Sequence, residues 1–192
     1  MHKFLLIFLI TTISLSYSQE KWMQFTNSTG ITDVAEGEGW IWAATENGLA
    51  KIHKETNEVL HINDFSRKFP LLNTSSIFVD SKNNKWICSN VYGLAKYDGK
   101  EWAVYDTLNS GLPVNNINQV VEDSKGNLWI GTTKGGLIKY DGTNWEIYNM
   151  ENSPLIGNSI SSIAIDENDI IYMGNYKRSS FKPQKAAFAV FH

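Results

Sequence analysis

The block Trp86-Ile87-Cys88-Ser89, Gly93-Leu94-Ala95-Lys96-Tyr97-Asp98-Gly99, Trp102-Ala103-Val104-Tyr105 returns as Trp129-Ile130-Gly131-Thr132, Gly136-Leu137-Ile138-Lys139-Tyr140-Asp141-Gly142, Trp145-Glu146-Ile147-Tyr148, each landmark displaced by 43 residues. A unit this short cannot bury its own apolar face, so it must stack on copies of itself. A period in the low forties, built of short alternating strands and Asp-Gly turns, predicts an all-β chain of β-propeller blades, each of four antiparallel strands.

The clearest repeat reads as strands at 117–122, 128–132, 136–140 and 145–148, with turns at 123–127, 134–135 and 141–142. The preceding repeat reads as 75–80, 85–89, 93–97 and 102–105, and a looser one as 32–35, 40–45, 48–53 and 59–62. A fourth repeat starts well, since Ile160, Asp166 and Tyr172 follow Ile117, Asp123 and Trp129 by the same step, and decays past Gly174. There Phe188 and Phe191 hold the places of Trp145 and Tyr148, which predicts an outer fourth strand over 187–191 after a poor third one. The blades are thus bounded near 31–62, 74–106, 116–149 and 159–191. Residues 22–26, carrying Trp22-Met23-Gln24-Phe25, have the form of an outer strand with no blade before it, and pairing with the degenerate fourth blade is expected.

Strand positions facing a neighbouring blade favour Trp, Tyr and β-branched residues. Trp42, Trp86, Trp129, Tyr97, Tyr140, Trp102 and Trp145 are therefore assigned to the repeat core, and six of the seven tryptophans fall on repeat positions. The Asp-Gly pairs are expected in type I′ turns, with positive φ at both central residues. Cys88, the single cysteine, takes the place of Gly131 and reads as a small core residue; it has no partner for an internal disulfide.

The first residues read as a cleaved targeting segment: Lys3, an unbroken apolar run over 4–10, and small residues Ser16 and Ser18 before a cleavage that would leave Gln19 first. The run is short for a membrane span, and no later segment is apolar enough to be one. Residues 1–18 are assigned to the signal peptide and 19–192 to a partial or small propeller that is periplasmic, cell-surface or secreted. A formal charge of −3 offers no basic stripe for nucleic acid. The stretch Lys177-Arg178 with Lys182 and Lys185 reads as a solvated connection.

The pattern over 115–148, with Asn109-Ser110-Gly111-Leu112-Pro113 as the loop between blades, resembles the two-component regulator propeller repeat. The resemblance implies a bacterial extracytoplasmic propeller of the kind that forms the sensor part of hybrid histidine kinases, many of which are thought to detect polysaccharide fragments. Sensors of that family carry more repeats, followed by a membrane span and signalling domains, so kinase activity is not carried over to these four repeats. A truncated sensor remnant, a small closed ring and an open arc completed by a partner are the alternatives, with truncation or an open arc expected first. An open arc exposes strand edges that invite pairing or oligomerisation.

No catalytic set emerges. After residue 18 the histidines are His53, His61 and His192, without Cys or carboxylate at metal-ligand spacing, and no G-x-S-x-G, H-E-x-x-H or phosphate loop occurs. No metal or cofactor is expected. The D-x-x-G-N-L-W stretch is also similar to streptogramin-lyase repeats, but those enzymes need a metal and a histidine near the axis, which the two best blades lack. The expected function is non-catalytic recognition or scaffolding toward an oligosaccharide or a protein. Its site is expected on the face of the inter-blade loops at 63–73, 105–116 and 149–159. Asn73 and Asn116, repeat equivalents at the mouth of the first strand, could hydrogen-bond a sugar, although Asn also caps loops. Trp40, on the strand face of Trp42, could stack on a sugar ring or pack between blades.

Overall fold

Short turns between alternating apolar and polar runs leave each strand no partner nearer than the next, and every repeat folds into an up-and-down sheet. The computed structural model describes residues 30–45, 48–62, 73–175 and 187–191. The first sheet holds β1 (Ile31–Gly37), β2 (Trp40–Thr45), β3 (Gly48–His53) and β4 (Val59–Ile62). The second holds β5 (Thr74–Val79), β6 (Lys85–Ser89), β7 (Leu94–Tyr97) and β8 (Trp102–Tyr105). The third holds β9 (Ile117–Glu122), β10 (Leu128–Thr132), β11 (Leu137–Tyr140) and β12 (Trp145–Tyr148). All pairings are antiparallel in chain order. No helix occurs among the described residues, and the architecture is the β-propeller that the repeats predict.

The fourth sheet departs from expectation. It contains β13 (Ile160–Ile165), β14 (Ile171–Asn175) and β15 (Ala187–Phe191). β15 pairs directly with β14, from Ile171↔Phe191 to Asn175↔Ala187, so it is the third strand and not an outer fourth. An unpaired edge takes the next available strand, and a fourth place exists only once the third is filled. The segments assigned to the signal peptide and the leftover strand at 22–26 lie outside the described residues.

The Asp-Gly turns also differ. Positive φ falls on Gly99 (101°) and Gly142 (97°) and not on the aspartates before them. Four residues, 98–101, separate the paired Tyr97 and Trp102, so a two-residue type I′ turn is ruled out. The carboxylate of Asp98 instead accepts from the N–H groups of Lys100 and Glu101, both at 2.8 Å, and Asp141 does the same for Thr143 and Asn144 at 2.8 and 2.7 Å. These bonds hold both carboxyls below the usual carboxylate range. Positive φ at both central residues is found at Glu38 and Gly39, between the paired Gly37 and Trp40.

The core lies between sheets. Trp42, Ala44 and Leu49 meet Ile77, Ile87 and Ala95 at the first junction. Trp86, Cys88 and Leu94 meet Ile117, Val120 and Ile130 at the second, and Trp129 and Leu137 meet Ile160, Ile163 and Met173 at the third. Cys88 is fully buried, as its place in the repeat predicts, and burial pushes its thiol pKa far up. β1 packs on β5, β5 on β9 and β9 on β13, while no principal strand packing joins β13 back to β1. Among the described residues the four sheets form an arc rather than a closed ring.

Candidate functional site

Every sheet has two ends. At one, the chain enters the first strand and the inter-blade loops lie; at the other, the first strand turns into the second. Neighbouring sheets share this polarity. The hydroxyls of Thr32 and Thr74 lie 3.4 Å apart at the loop end, and Gly37 faces Val79 and Asn83 at the turn end.

Two loops at the loop end are built alike. Asn109 Oδ1 accepts from Asp106 N–H (2.9 Å) while its amide donates to the Val104 carbonyl (2.9 Å); Asn152 does both for Asn149 and Ile147, each at 2.8 Å. Asn115 Oδ1 accepts from Thr107 N–H (2.9 Å), and Asn158 Oδ1 from Met150 N–H (2.8 Å). The carbonyls of Asn115 and Asn158 accept from Gly93 and Gly136. Leu112 and Leu155 are buried and anchor the two loops. Gly111 lets the first pass against Trp145, whose Cβ would stand 2.4 Å from an added methyl. The asparagine side-chain oxygens are thus engaged within the loops, and apolar side chains stand exposed beside the polar Thr107 and Glu151. Leu108 is 92% exposed, and Met150, Ile156 and the β6–β7 turn residues Val91 and Tyr92 are exposed as well.

The three residues singled out from sequence do not meet. Asn73 and Asn116 lie at the loop end and use their carbonyls structurally, accepting from Asn90 N–H (3.1 Å) and Thr133 N–H (3.0 Å). Asn73 adopts a φ of 59°, and Asn116 Oδ1 is buried with no hydrogen-bond partner among the described residues. Trp40 pairs with Gly37 and His53 at the turn end, roughly 20 Å away along a six-residue strand. Its ring is partly buried, with Lys51 Nζ 4.3 Å above the ring centroid and His53 edge-on at 4.8 Å. Lys51 also lies over Trp42, at 5.4 Å, so Trp40 and Trp42 share a face. Trp40 thus packs beside Lys51 and His53 of its own sheet and against the core cluster of the first junction.

The turn end holds a device that strand alternation did not reveal. Asp80 Oδ1 accepts from Lys82 and Asn84 N–H, and its Oδ2 from the Asn84 amide (2.7 Å) and Trp86 Nε1 (2.8 Å). Asp123 repeats this with Lys125, Asn127 and Trp129, the indole at 3.0 Å. Burial works to raise the Asp123 pKa, but bonds from the Asn127 amide, the Trp129 indole and two backbone N–H groups outweigh it and hold the carboxyl low. The recurring D-x-x-x-N-x-W spacing is the signal that could have found this clamp. Ser81 ties this end to Glu122 of the next sheet, and Ser124 to Asp169. Between sheets the turn end carries shallow grooves, one lined by Asp123, Lys125, Trp129, Lys139, Tyr148 and Asp169. Its tryptophan is already covered, by Lys139 at 5.4 Å and by Tyr148 stacked at 5.8 Å.

Chemistry-bearing groups are dispersed. Among the described residues no three of His, Cys, Asp and Glu converge as a metal site. His53 Nδ1 accepts from Thr56 N–H at 3.2 Å, which is a turn contact. No described helix is long and apolar enough to cross a membrane.

Residues 111–134 match the family described as two component regulator propeller, so the chain carries the repeat that its sequence resembles. No curated protein matches. Among solved structures, the extracellular domain assigned to the hybrid two component system BT3049 of Bacteroides thetaiotaomicron is similar at 19% identity and a TM-score of 0.63, over 75% of this chain and 22% of that one. The corresponding domain of BT4673 gives 20% and 0.63, over 77% and 22%. PorZ, a surface component of the type-IX secretion system of Porphyromonas gingivalis, gives 13% and 0.64, over 83% and 25%. The chain therefore spans a quarter or less of these relatives, and at such identities the likeness is one of fold.

Proposed function

We propose that this chain is an exported, non-catalytic recognition module that binds a protein partner through its loop end. The observation carrying this reading is the pair of rigid loops that hold Leu108 and Met150 out into solvent. Exposed apolar side chains on preorganised backbone suit a protein surface, because little ordering entropy is lost on docking. A sugar needs free hydrogen-bonding groups, and the side-chain oxygens of Asn109, Asn115, Asn152 and Asn158 are engaged within the loops. Export is supported by the charge and apolar pattern of residues 1–18 and by the extracellular origin of similar structures. The non-catalytic part of the reading rests on the likeness to propellers of a two-component system and of a secretion-system surface component.

Peptides selected from a displayed library against the immobilised chain test the reading. They should lose affinity about tenfold or more against Leu108→Asp with Met150→Asp, as for interface anchors generally. Selected peptides indifferent to both changes, or specific binding on a glycan panel that the double variant retains, would overturn it.

A further inference from the structure

Among the described residues, the two faces at the ends of the arc each lack a repeat-equivalent neighbour, and they lack opposite halves of the same junction. In the first strand of each sheet, the first and fourth positions point at the preceding sheet. Thr74, Ile77, Ile117, Val120, Ile160 and Ile163 hold these places in the second to fourth sheets and are 5% exposed or less. Ile31 and Val34 hold them in β1 and are 53% and 56% exposed. The other half of a junction belongs to the second strand. Trp42, Trp86 and Trp129 face the following sheet and are at most 5% exposed, while Tyr172, their equivalent in β14, is 40% exposed. Gly131 leaves room for the next sheet's residues: an added Cβ would stand 3.1 Å from Ile160 and 3.3 Å from Ile163. Gly174 follows Gly131 by the 43-residue step and is only partly buried; an added Cβ there would meet the hydroxyls of Ser162 (2.4 Å) and Ser161 (3.1 Å), flexible side-chain ends that an incoming strand would have to turn aside.

We propose that a second copy of this chain docks head to tail, so that Ile31 and Val34 of one copy enter the place beside Gly174 and Tyr172 of the other. The occupant follows from continuity with the three junctions already present. In two of those three junctions the second residue of a first strand also reaches the next sheet's first carbonyl: Ser75 Oγ to Ile117 O at 2.6 Å, and Asn118 Nδ2 to Ile160 O at 2.7 Å. Ser161 is the equivalent donor at the end of the arc, exposed and bonded to the Gly174 carbonyl of its own sheet. The Ile31 carbonyl of the second copy is the equivalent acceptor. A contact between unlike faces either closes into a ring or continues as an open chain.

Light scattering after size exclusion tests this on the full chain. The wild type should show at least twice the chain mass. Val34→Glu and Tyr172→Glu each place a charge in the junction and should each run at the chain mass. Both positions are exposed in the single chain, so each variant should keep the wild-type circular dichroism spectrum and a cooperative melt, at a lower temperature because the assembly no longer contributes. Mixed in equal amounts, the two variants should recover twice the chain mass, because one of the two junctions in a mixed pair is intact. If either variant fails to fold, a cross-link between copies of the doubly substituted Val34→Cys, Tyr172→Cys chain, both positions being exposed, gives the same reading. A wild type at the chain mass throughout, an assembly that survives both substitutions, or a mixture that stays monomeric would overturn the proposal.

Discussion

The tryptophans of this chain share a position in the repeat but not an environment. Trp86 and Trp129 donate to an aspartate, whereas the Trp42 indole N–H is buried with no partner among the described residues, because Gly37 stands where Asp80 and Asp123 stand. Trp129→Ala should cost about 3–5 kcal/mol, as large aromatic truncations in cores do, and a variant melting within a degree or two of the parent would contradict it. Trp129→Phe removes a hydrogen bond to a charged acceptor, worth about 1.5–3 kcal/mol. Trp42→Phe removes none and should lower the melting temperature less. Lys85 is the converse case, a cation 2% exposed where the next repeat has Leu128. Its ammonium donates to the Asn83 carbonyl at 2.7 Å and lies 3.9 Å from the exposed Glu38, and desolvation draws its pKa below the usual lysine value. Replacing buried ionic groups by apolar ones is often neutral or stabilising by about 1–4 kcal/mol. Lys85→Met should therefore leave the melting temperature unchanged or raise it, and a clear fall would show that the cation is needed at that junction.

Between strands, the tight points are glycines met by backbone. At Gly136, φ is +87° and an added Cβ would stand 2.1 Å from the Tyr148 carbonyl oxygen; at Gly142, φ is +97° and nothing lies within 4 Å. Alanine at 142 meets only backbone strain, about 1–3 kcal/mol. Alanine at 136 must also displace a strand, so its unfolding midpoint in denaturant should fall further. The turn-end links make the sheets sensitive to acid. The Ser124 hydroxyl and N–H hold Asp169 below its ordinary 3.8, and the clamp holds Asp123 low as well. Carboxyls depressed in the fold stabilise it fully above the unfolded value and lose that contribution as the pH falls through the folded one. Thermal melts should therefore drop steeply below about pH 4, and Ser124→Ala should flatten that drop; an unchanged acid profile in the variant would exclude the Asp169 link.

At the scale of the molecule, stability is a sum over neighbouring sheets, since each core cluster joins one sheet to the next. The arc therefore has two end faces of unlike composition, one exposing Ile31 and Val34 and the other Tyr172. Their exposure is what the head-to-tail assembly relieves. The loop end is separate from both, so substitutions at Leu108 and Met150 should leave the assembly mass unaltered while changing partner binding. Coupled loss of both properties would mean that the loop end and the junction are one surface.

What the sequence determined by itself is what repeats locally: strand periodicity, the 43-residue step, and the burial of Trp86, Trp129 and Cys88, because each depends on neighbours within one or two repeats. The Asp-Gly turns were located but mistyped, since the aspartate carboxylate can cap backbone N–H groups without taking positive φ itself. The fourth strand was mislabelled because a constant step cannot register that β15 moves inward to the free edge of β14. The candidate site was least legible. Trp40 and Asn116 look alike as exposed recognition residues in one dimension, yet strand direction sends them to opposite ends of the sheets. The loops' own hydrogen bonds, which turn amides inward and Leu108 outward, exist only once the chain has folded, as do the unmet faces at the ends of the arc.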